Sequence, residues 1–283
     1  SKFRQVGIES EYPIEHQIQK FNNVILRSAT LCSWVKSYMV IRTDEIMLNE
    51  LPNTIALPSS DQLSQVGKVP QWQITPMTHK QLAITLENGG AIPEKGFVPN
   101  PSLINHYSKK LGNKSLVLHP RCSLFTEDRN TPISLFNEIA VYFKKKGFNV
   151  ILVPDYEDFI NDFRWSSAEG IIESLPAFDI EHRVAIAESA TVNLTWGAGF
   201  DEPLHFSRAC FLETGKYIKT VEITDRGFME RKGPKYGEQG NWLEKGIQIF
   251  DWTEKSNLTP NILIEKLETI IDEIESRGSD EVK

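Results

Sequence analysis

The segment from Ser115 to Val153 constrains the fold most strongly, because it reads as a strand, a helix and a second strand in succession. Ser115 to Leu118 (SLVL) and Phe148 to Val153 (FNVILV) are short apolar runs typical of buried strands. Between them, Thr131-Pro132 predicts a helix start, with threonine as the cap and proline at the first helical position. Gly147, which follows three lysines, predicts the helix end. Such a unit favours parallel strands in an α/β fold.

The alternation continues toward the end of the chain and predicts a mostly parallel, doubly wound sheet. Asp179 and the pair Thr259-Pro260 predict helix starts. An apolar stripe at helical spacing predicts a long last helix. The predicted elements are helices over Asp179 to Ala190, Pro203 to Leu212 and Thr259 to Gly278, and strands over Thr191 to Trp196, Tyr217 to Ile223 and Ile247 to Phe250.

The first 112 residues are less regular and predict a smaller α/β domain. A segment rich in glycine and proline, Gly89 to Pro101, precedes a predicted short helix over Ser102 to Lys110. We therefore place the domain boundaries at 1–112, 113–278 and a tail of 279–283. The predicted elements of the first half are strands over Asn23 to Ala29, Tyr38 to Thr43 and Thr54 to Leu57, and a helix over Thr78 to Glu87.

Composition excludes several classes of protein. The chain of 283 residues has 31 basic and 38 acidic side chains, so its formal net charge of −7 argues against a general nucleic-acid binder. No apolar run approaches the ~18 residues of a membrane-spanning helix, so none is predicted. The three cysteines are far apart and fit neither a zinc knuckle nor a disulfide framework, which favours the cytoplasm.

Loops that follow parallel strands meet at one edge of a sheet, where ligands of open α/β sheets bind. The loop after the first predicted strand carries Arg121 and Arg129 to the start of a helix, an arrangement suited to a phosphate or carboxylate. The alternative is that these arginines pair with the neighbouring acidic residues Glu127 and Asp128.

Two further loops are expected at the same edge. After the second strand, Asp155 suits a ribose hydroxyl or a base edge and Tyr156 suits stacking, while helix capping is the alternative for Asp155. After a later strand, Gly197 and Gly199 follow Trp196 and allow close approach of a ligand, or form a tight turn. The motif lacks the third glycine of the dinucleotide fingerprint. Together the three loops imply a ligand with a phosphate and a polar ring.

On these residues, the C-terminal half resembles the nucleotide-sugar-binding half of GT-B glycosyltransferases. It looks most like the fucosyltransferase-like and heptosyltransferase-like branch, which extends to proteins of bacterial surface-polysaccharide loci. Leu118 to Arg121 is similar to a H-x-R motif whose arginine binds the donor diphosphate, and Asp179 to Phe200 is similar to a later segment beside the donor. The resemblance implies two Rossmann-like domains, a nucleotide-sugar donor as substrate, a glycan or polysaccharide acceptor, no cofactor and no metal.

The resemblance also implies a division of roles between the two halves. The N-terminal half would supply the catalytic base, and the C-terminal half would bind the donor. A non-catalytic protein that binds sugar nucleotides or carbohydrates and a scaffold protein of the same fold stay open as alternatives. The candidate catalytic residues are Glu9, Glu11, His16 and Asp61, and the candidate donor-binding residues are His119, Arg121, Arg129, Asp155, Tyr156, Trp196, Gly197 and Gly199.

Overall fold

The computed structural model describes residues 31, 97–122, 129–155, 173–174, 179–197, 202–215, 246–251 and 253–278. Within these ranges the strand, helix and strand predicted between Ser115 and Val153 follow one another as the sequence predicts. The helices are α1 (Pro101–Leu111), α2 (Ile133–Lys145), α3 (Ile180–Ser189) and α4 (Pro260–Arg277), and the strands are β1 (Ser115–His119), β2 (Asn149–Leu152), β3 (Glu173–Ser174), β4 (Val192–Thr195), β5 (Phe211–Glu213) and β6 (Gln248–Phe250).

The described strands form one sheet in the order β3-β2-β1-β4-β5-β6, and every neighbouring pair is parallel. From β1 the chain therefore adds strands first on one side and later on the other. This order confirms the predicted doubly wound sheet. The register sets Ser115 opposite Asn149 of β2 and His119 opposite Thr195 of β4.

The two faces of the sheet bury different side chains, because successive residues of a strand point to opposite faces. Leu116 and Leu118 of β1 pack in a core with Phe136 of α2 and Leu267 of α4. Val117, between them, lies in a second core on the opposite face. That second core contains Leu111, Val117, Ile151, Val153, Ile186 and Ala190, with contributions from α1 and α3.

The helix starts follow local capping chemistry in three of four cases. The side chains of Asn100 and Asp179 accept hydrogen bonds from backbone N–H groups at the starts of α1 and α3. Thr259 Oγ1 accepts one from the Ile262 N–H at 3.4 Å, ahead of Pro260. The last predicted helix is confirmed as α4. The residues of its predicted apolar stripe are all buried: Leu263, Leu267, Ile270, Ile271 and Ile274.

The helix predicted over Pro203 to Leu212 is wrong. A short 3-10 turn, Glu202–Phe206, is followed by strand β5. Ser207 ends the turn, because its hydroxyl donates to the Leu204 carbonyl at 2.8 Å and accepts from the Ala209 N–H at 3.2 Å. Local bonds of this kind compete with the helical pattern.

The predicted helix start at Thr131-Pro132 also needs correction. Helix α2 begins at Ile133, and Pro132 takes the capping position without a side-chain hydrogen bond. Thr131 Oγ1 instead accepts a hydrogen bond from the Arg121 N–H at 2.8 Å, because the hydroxyl lies across the loop from that group.

Several predictions fall outside the described residues. These are the strand over Tyr217 to Ile223, the four elements predicted before Gly89, and the tail of 279–283. Within the described ranges, none of the helices combines the length and apolar character that crossing a lipid bilayer requires.

Candidate functional site

The order of the described strands places a topological switch point between β1 and β4. At such a point the connections leave neighbouring strands toward opposite faces, which opens a crevice beyond their carboxyl ends. We call this side of the sheet the carboxyl edge. His119 ends β1 and leads into Arg121, and Thr195 ends β4 and leads into Trp196 and Gly197. The first and third loops predicted from the sequence therefore meet at the switch point.

The loop between β1 and α2 is fixed at both of its described ends. The Arg121 N–H donates to Thr131 Oγ1 at 2.8 Å, and the Thr131 N–H donates to the Arg121 carbonyl at 3.0 Å. The indole Nε1–H of Trp196 donates to the Arg129 carbonyl at 3.0 Å. These bonds hold the backbones of both arginines near the ends of β1 and β4, with each arginine partly buried.

Two more contacts tie this loop to its neighbours. Asp155, which follows β2 and is 7% exposed, accepts a hydrogen bond from the Cys122 N–H at 3.0 Å through Oδ2. Lys255 Nζ donates to the Asn130 carbonyl at 2.7 Å. Asp155 thus joins the loops after β1 and β2, the two loops that the sequence placed at a common edge.

Trp196 is buried and packs into the core. Its side chain is 1% exposed, and its ring meets Phe136 edge to face, with centroids 5.7 Å apart. The indole also lies against Gly215, which has a φ of +74°, where a Cβ would overlap the ring. Trp196 therefore fixes Arg129 through its N–H while its ring fills the space above Gly215.

His119 is fully buried at the end of β1. Its Nε2 lies 3.1 Å from Asn193 Oδ1, and the Asn193 amide nitrogen donates to the carbonyls of Ala187 and Cys210, each at 2.9 Å. Burial and the neighbouring positive charge of Arg183 lower the pKa of His119 to about 3, although the Asn193 bond acts in the opposite direction. The ring is therefore neutral at physiological pH.

Arg183 is a buried residue of this region that sequence reasoning missed. It lies in α3, is 1% exposed, and donates through Nη2 to the carbonyls of Val153 at 3.1 Å and Pro154 at 2.8 Å. It therefore satisfies backbone groups at the end of β2. The only signal in the sequence is that Arg183 directly precedes the apolar run Val184 to Ala187.

The remaining candidates divide between described and undescribed positions. Gly197 has a φ of +63°, a left-handed conformation that favours glycine. Outside the described residues lie Gly199, Tyr156, Glu9, Glu11, His16 and Asp61.

The fold and its carboxyl edge define an α/β protein with a doubly wound parallel sheet whose topological switch point lies between β1 and β4. Among solved structures, it is similar to E. coli ADP-heptose LPS heptosyltransferase II (11% identity, 63% of this chain and 54% of that chain, TM-score 0.45). It is also similar to the glycosyl transferase family 9 structure from Veillonella parvula DSM 2008 (12% identity, 62% of this chain and 53% of that chain, TM-score 0.43). A third similar structure is E. coli heptosyltransferase WaaC with ADP (14% identity, 71% of this chain and 58% of that chain, TM-score 0.43).

These matches cover only 53% to 58% of the solved chains. Two of these three solved structures are heptosyltransferases, and the third is a family 9 glycosyl transferase. No protein-family model matches the chain, and no curated protein matches it by sequence.

Proposed function

We propose that the chain transfers a sugar from a nucleoside diphosphate donor to a glycan or polysaccharide acceptor, without a metal ion. The observation that carries this proposal is the position of the arginine-bearing loop. Its backbone is bonded at Arg121 to Thr131 and at Arg129 to Trp196, at the switch point of a parallel sheet. A nucleotide lies across this position in open α/β sheets.

In this mechanism Arg121 and Arg129 neutralise the charge that develops on the departing diphosphate. Guanidinium groups suit this role because they carry a permanent charge and bind phosphate oxygens in pairs. Helix α2 starts at Ile133, directly after the loop, and has no acidic residue in its first turn. Its N-terminal dipole therefore adds to the same field.

The transfer step requires a base that accepts the proton of an acceptor hydroxyl. The hydroxyl oxygen then bonds to the anomeric carbon while the carbon–oxygen bond to the diphosphate breaks, and the diphosphate leaves with the electron pair. Glu9, Glu11, His16 and Asp61 are the candidates for this base from the N-terminal half. Asp155 and Tyr156 are proposed to hold the nucleoside, and Gly197 and Gly199 to admit the sugar or phosphate.

Replacing Arg121 by alanine is expected to weaken nucleoside diphosphate binding by about 1.5 kcal/mol or more, at least ~10-fold in Kd, because a charge-assisted bond is lost. Titration calorimetry with ADP, UDP and GDP measures the change. Arg277→Ala is the matched control, since Arg277 lies in the exposed last turn of α4 and pairs with Glu273. An Arg121→Ala affinity equal to that of the wild type contradicts the assignment.

Product release separates transfer from the two alternatives. A transferase releases nucleoside diphosphate from ADP-, UDP- or GDP-linked sugars faster when a glycan acceptor is present, and we expect EDTA to leave this rate unchanged. A non-catalytic binding protein releases no nucleoside diphosphate from these sugars. Nucleoside diphosphate still stabilises it, by about 2.7 kcal/mol at 100 times Kd. A scaffold protein shows neither effect.

A further inference from the structure

Two buried polar atoms at the switch point have no hydrogen-bond partner in the described part of the chain: His119 Nδ1 and Thr195 Oγ1. The two side chains are 0% and 1% exposed. His119 and Thr195 are register partners on neighbouring parallel strands, so their side chains point to the same face of the sheet. Both are the last residues of their strands.

Hydrogen bonding defines what the His119 ring can recognise. The Asn193 amide nitrogen donates both of its hydrogens to the carbonyls of Ala187 and Cys210, so its Oδ1 is an acceptor. His119 Nε2 must therefore carry the proton that Asn193 Oδ1 receives. In a neutral ring this leaves a lone pair on Nδ1, which accepts a hydrogen bond.

The chemistry of the pair selects a neutral group. A hydroxyl can donate to His119 Nδ1 and accept from the Thr195 hydroxyl, which satisfies both buried atoms at once. A phosphate oxygen has no proton to give to Nδ1 and is repelled by its lone pair. The pair therefore differs in preference from the arginines of the neighbouring loop, which suit the anionic diphosphate.

We propose that His119 and Thr195 bind a hydroxyl group of the donor, from either its ribose or its sugar. This inference rests on the proposed function, because the same edge must hold the donor. Leaving both atoms unpaired lowers the stability of the folded protein, and binding of the hydroxyl removes that penalty. Both side chains are closed to solvent in this structure, so a hydroxyl reaches them only when the edge opens.

Thr195→Val tests the hydrogen-bond donor of the pair, because valine keeps the shape of the side chain and removes its hydroxyl. We expect nucleotide affinity to fall about 3- to 10-fold and the melting temperature of the protein alone to rise by about 2–4 °C. A residue with a purely structural role cannot give that combination. Thr195→Ser keeps the hydroxyl and should retain affinity, and Thr269→Val at an exposed position of α4 should change neither quantity.

Two substitutions test the roles of the two ring nitrogens of His119 separately. His119→Gln retains a donor toward Asn193 and removes the acceptor at the Nδ1 position, so it should lose affinity as Thr195→Val does. His119→Asn retains an acceptor near Nδ1 and loses the bond to Asn193, so it should retain more affinity than His119→Gln. Equal affinities for His119→Gln and the wild type overturn the proposal.

The ligand panel consists of inorganic pyrophosphate, nucleoside diphosphates and the corresponding nucleotide sugars. Losses seen with ADP, UDP or GDP assign the hydroxyl to the nucleoside, and losses seen only with a nucleotide sugar assign it to the sugar. Pyrophosphate affinity should be unchanged in the Thr195 and His119 variants. Wild-type protein that binds neither pyrophosphate nor any nucleotide overturns the proposed function and this inference together. A lower melting temperature for Thr195→Val with unchanged nucleotide affinity overturns this inference alone.

Discussion

Replacing Gly215 by alanine is expected to destabilise the protein by about 3 kcal/mol and to weaken nucleoside diphosphate binding. A Cβ at this position would overlap the Trp196 indole and lie 2.5 Å from its Nε1, and the ring is too deeply buried to move freely. Overpacking of a core costs ~1–3 kcal/mol, and alanine at a φ of +74° adds ~1–2 kcal/mol. Displacing the indole also breaks its bond to Arg129.

Urea denaturation gives the stability change and calorimetry with nucleoside diphosphates gives the affinity change. Gly112→Ala is the control for the backbone effect, because Gly112 has the same φ of +74° and a Cβ there has nothing within 4 Å. That variant should show a backbone penalty alone, ~1–3 kcal/mol, and normal affinity. Equal destabilisation of the two variants contradicts the argument that Gly215 makes room for Trp196.

The elements with strong local signals were predictable from the sequence. Strand β1, helix α2 and strand β2 combine short apolar runs with a helical stripe and clear end signals, so local chemistry alone identifies them. The short strand β5 was missed, because three residues carry little periodicity and its status depends on pairing with β4 and β6. The strand propensities of single residues carry no information about such long-range pairing.

The candidate site was predictable in position more than in detail. Parallel topology alone brings the loops after β1 and β4 to one edge, which is why Arg121 could be placed there from its position after a strand. The bonds of Thr131 to Arg121 and of Asp155 to Cys122 depend on how segments 10 and 33 residues apart meet. A capping role was the natural expectation for Thr131, and only the folded loop shows its different partner.

The free energy of unfolding is expected to fall as pH drops from about 6.5 to about 3, because His119 resists protonation in the folded state. Its pKa is about 3 when folded and ~6.5 when unfolded, so unfolding takes up a proton throughout this range. Lower pH then favours the unfolded chain, with a slope of about 1.4 kcal/mol per pH unit from this residue. Through this residue the free energy of unfolding falls by about 4 kcal/mol between pH 6.5 and pH 3.5. Above pH 7 none of this stability is lost.

Urea denaturation at a series of pH values measures this slope, and NMR titration of the ring follows His119 directly. His119→Asn should show a shallower slope between pH 6 and pH 4, because the titrating group is gone while the other ionisable groups stay. His106→Asn, an exposed substitution on α1, tests whether loss of any histidine has the same effect. A His119 ring that titrates near pH 6.5 in the folded protein would contradict the prediction. Half of the rings would then carry a proton on Nδ1 at that pH, so the acceptor proposed for a donor hydroxyl would be absent from that half of the molecules.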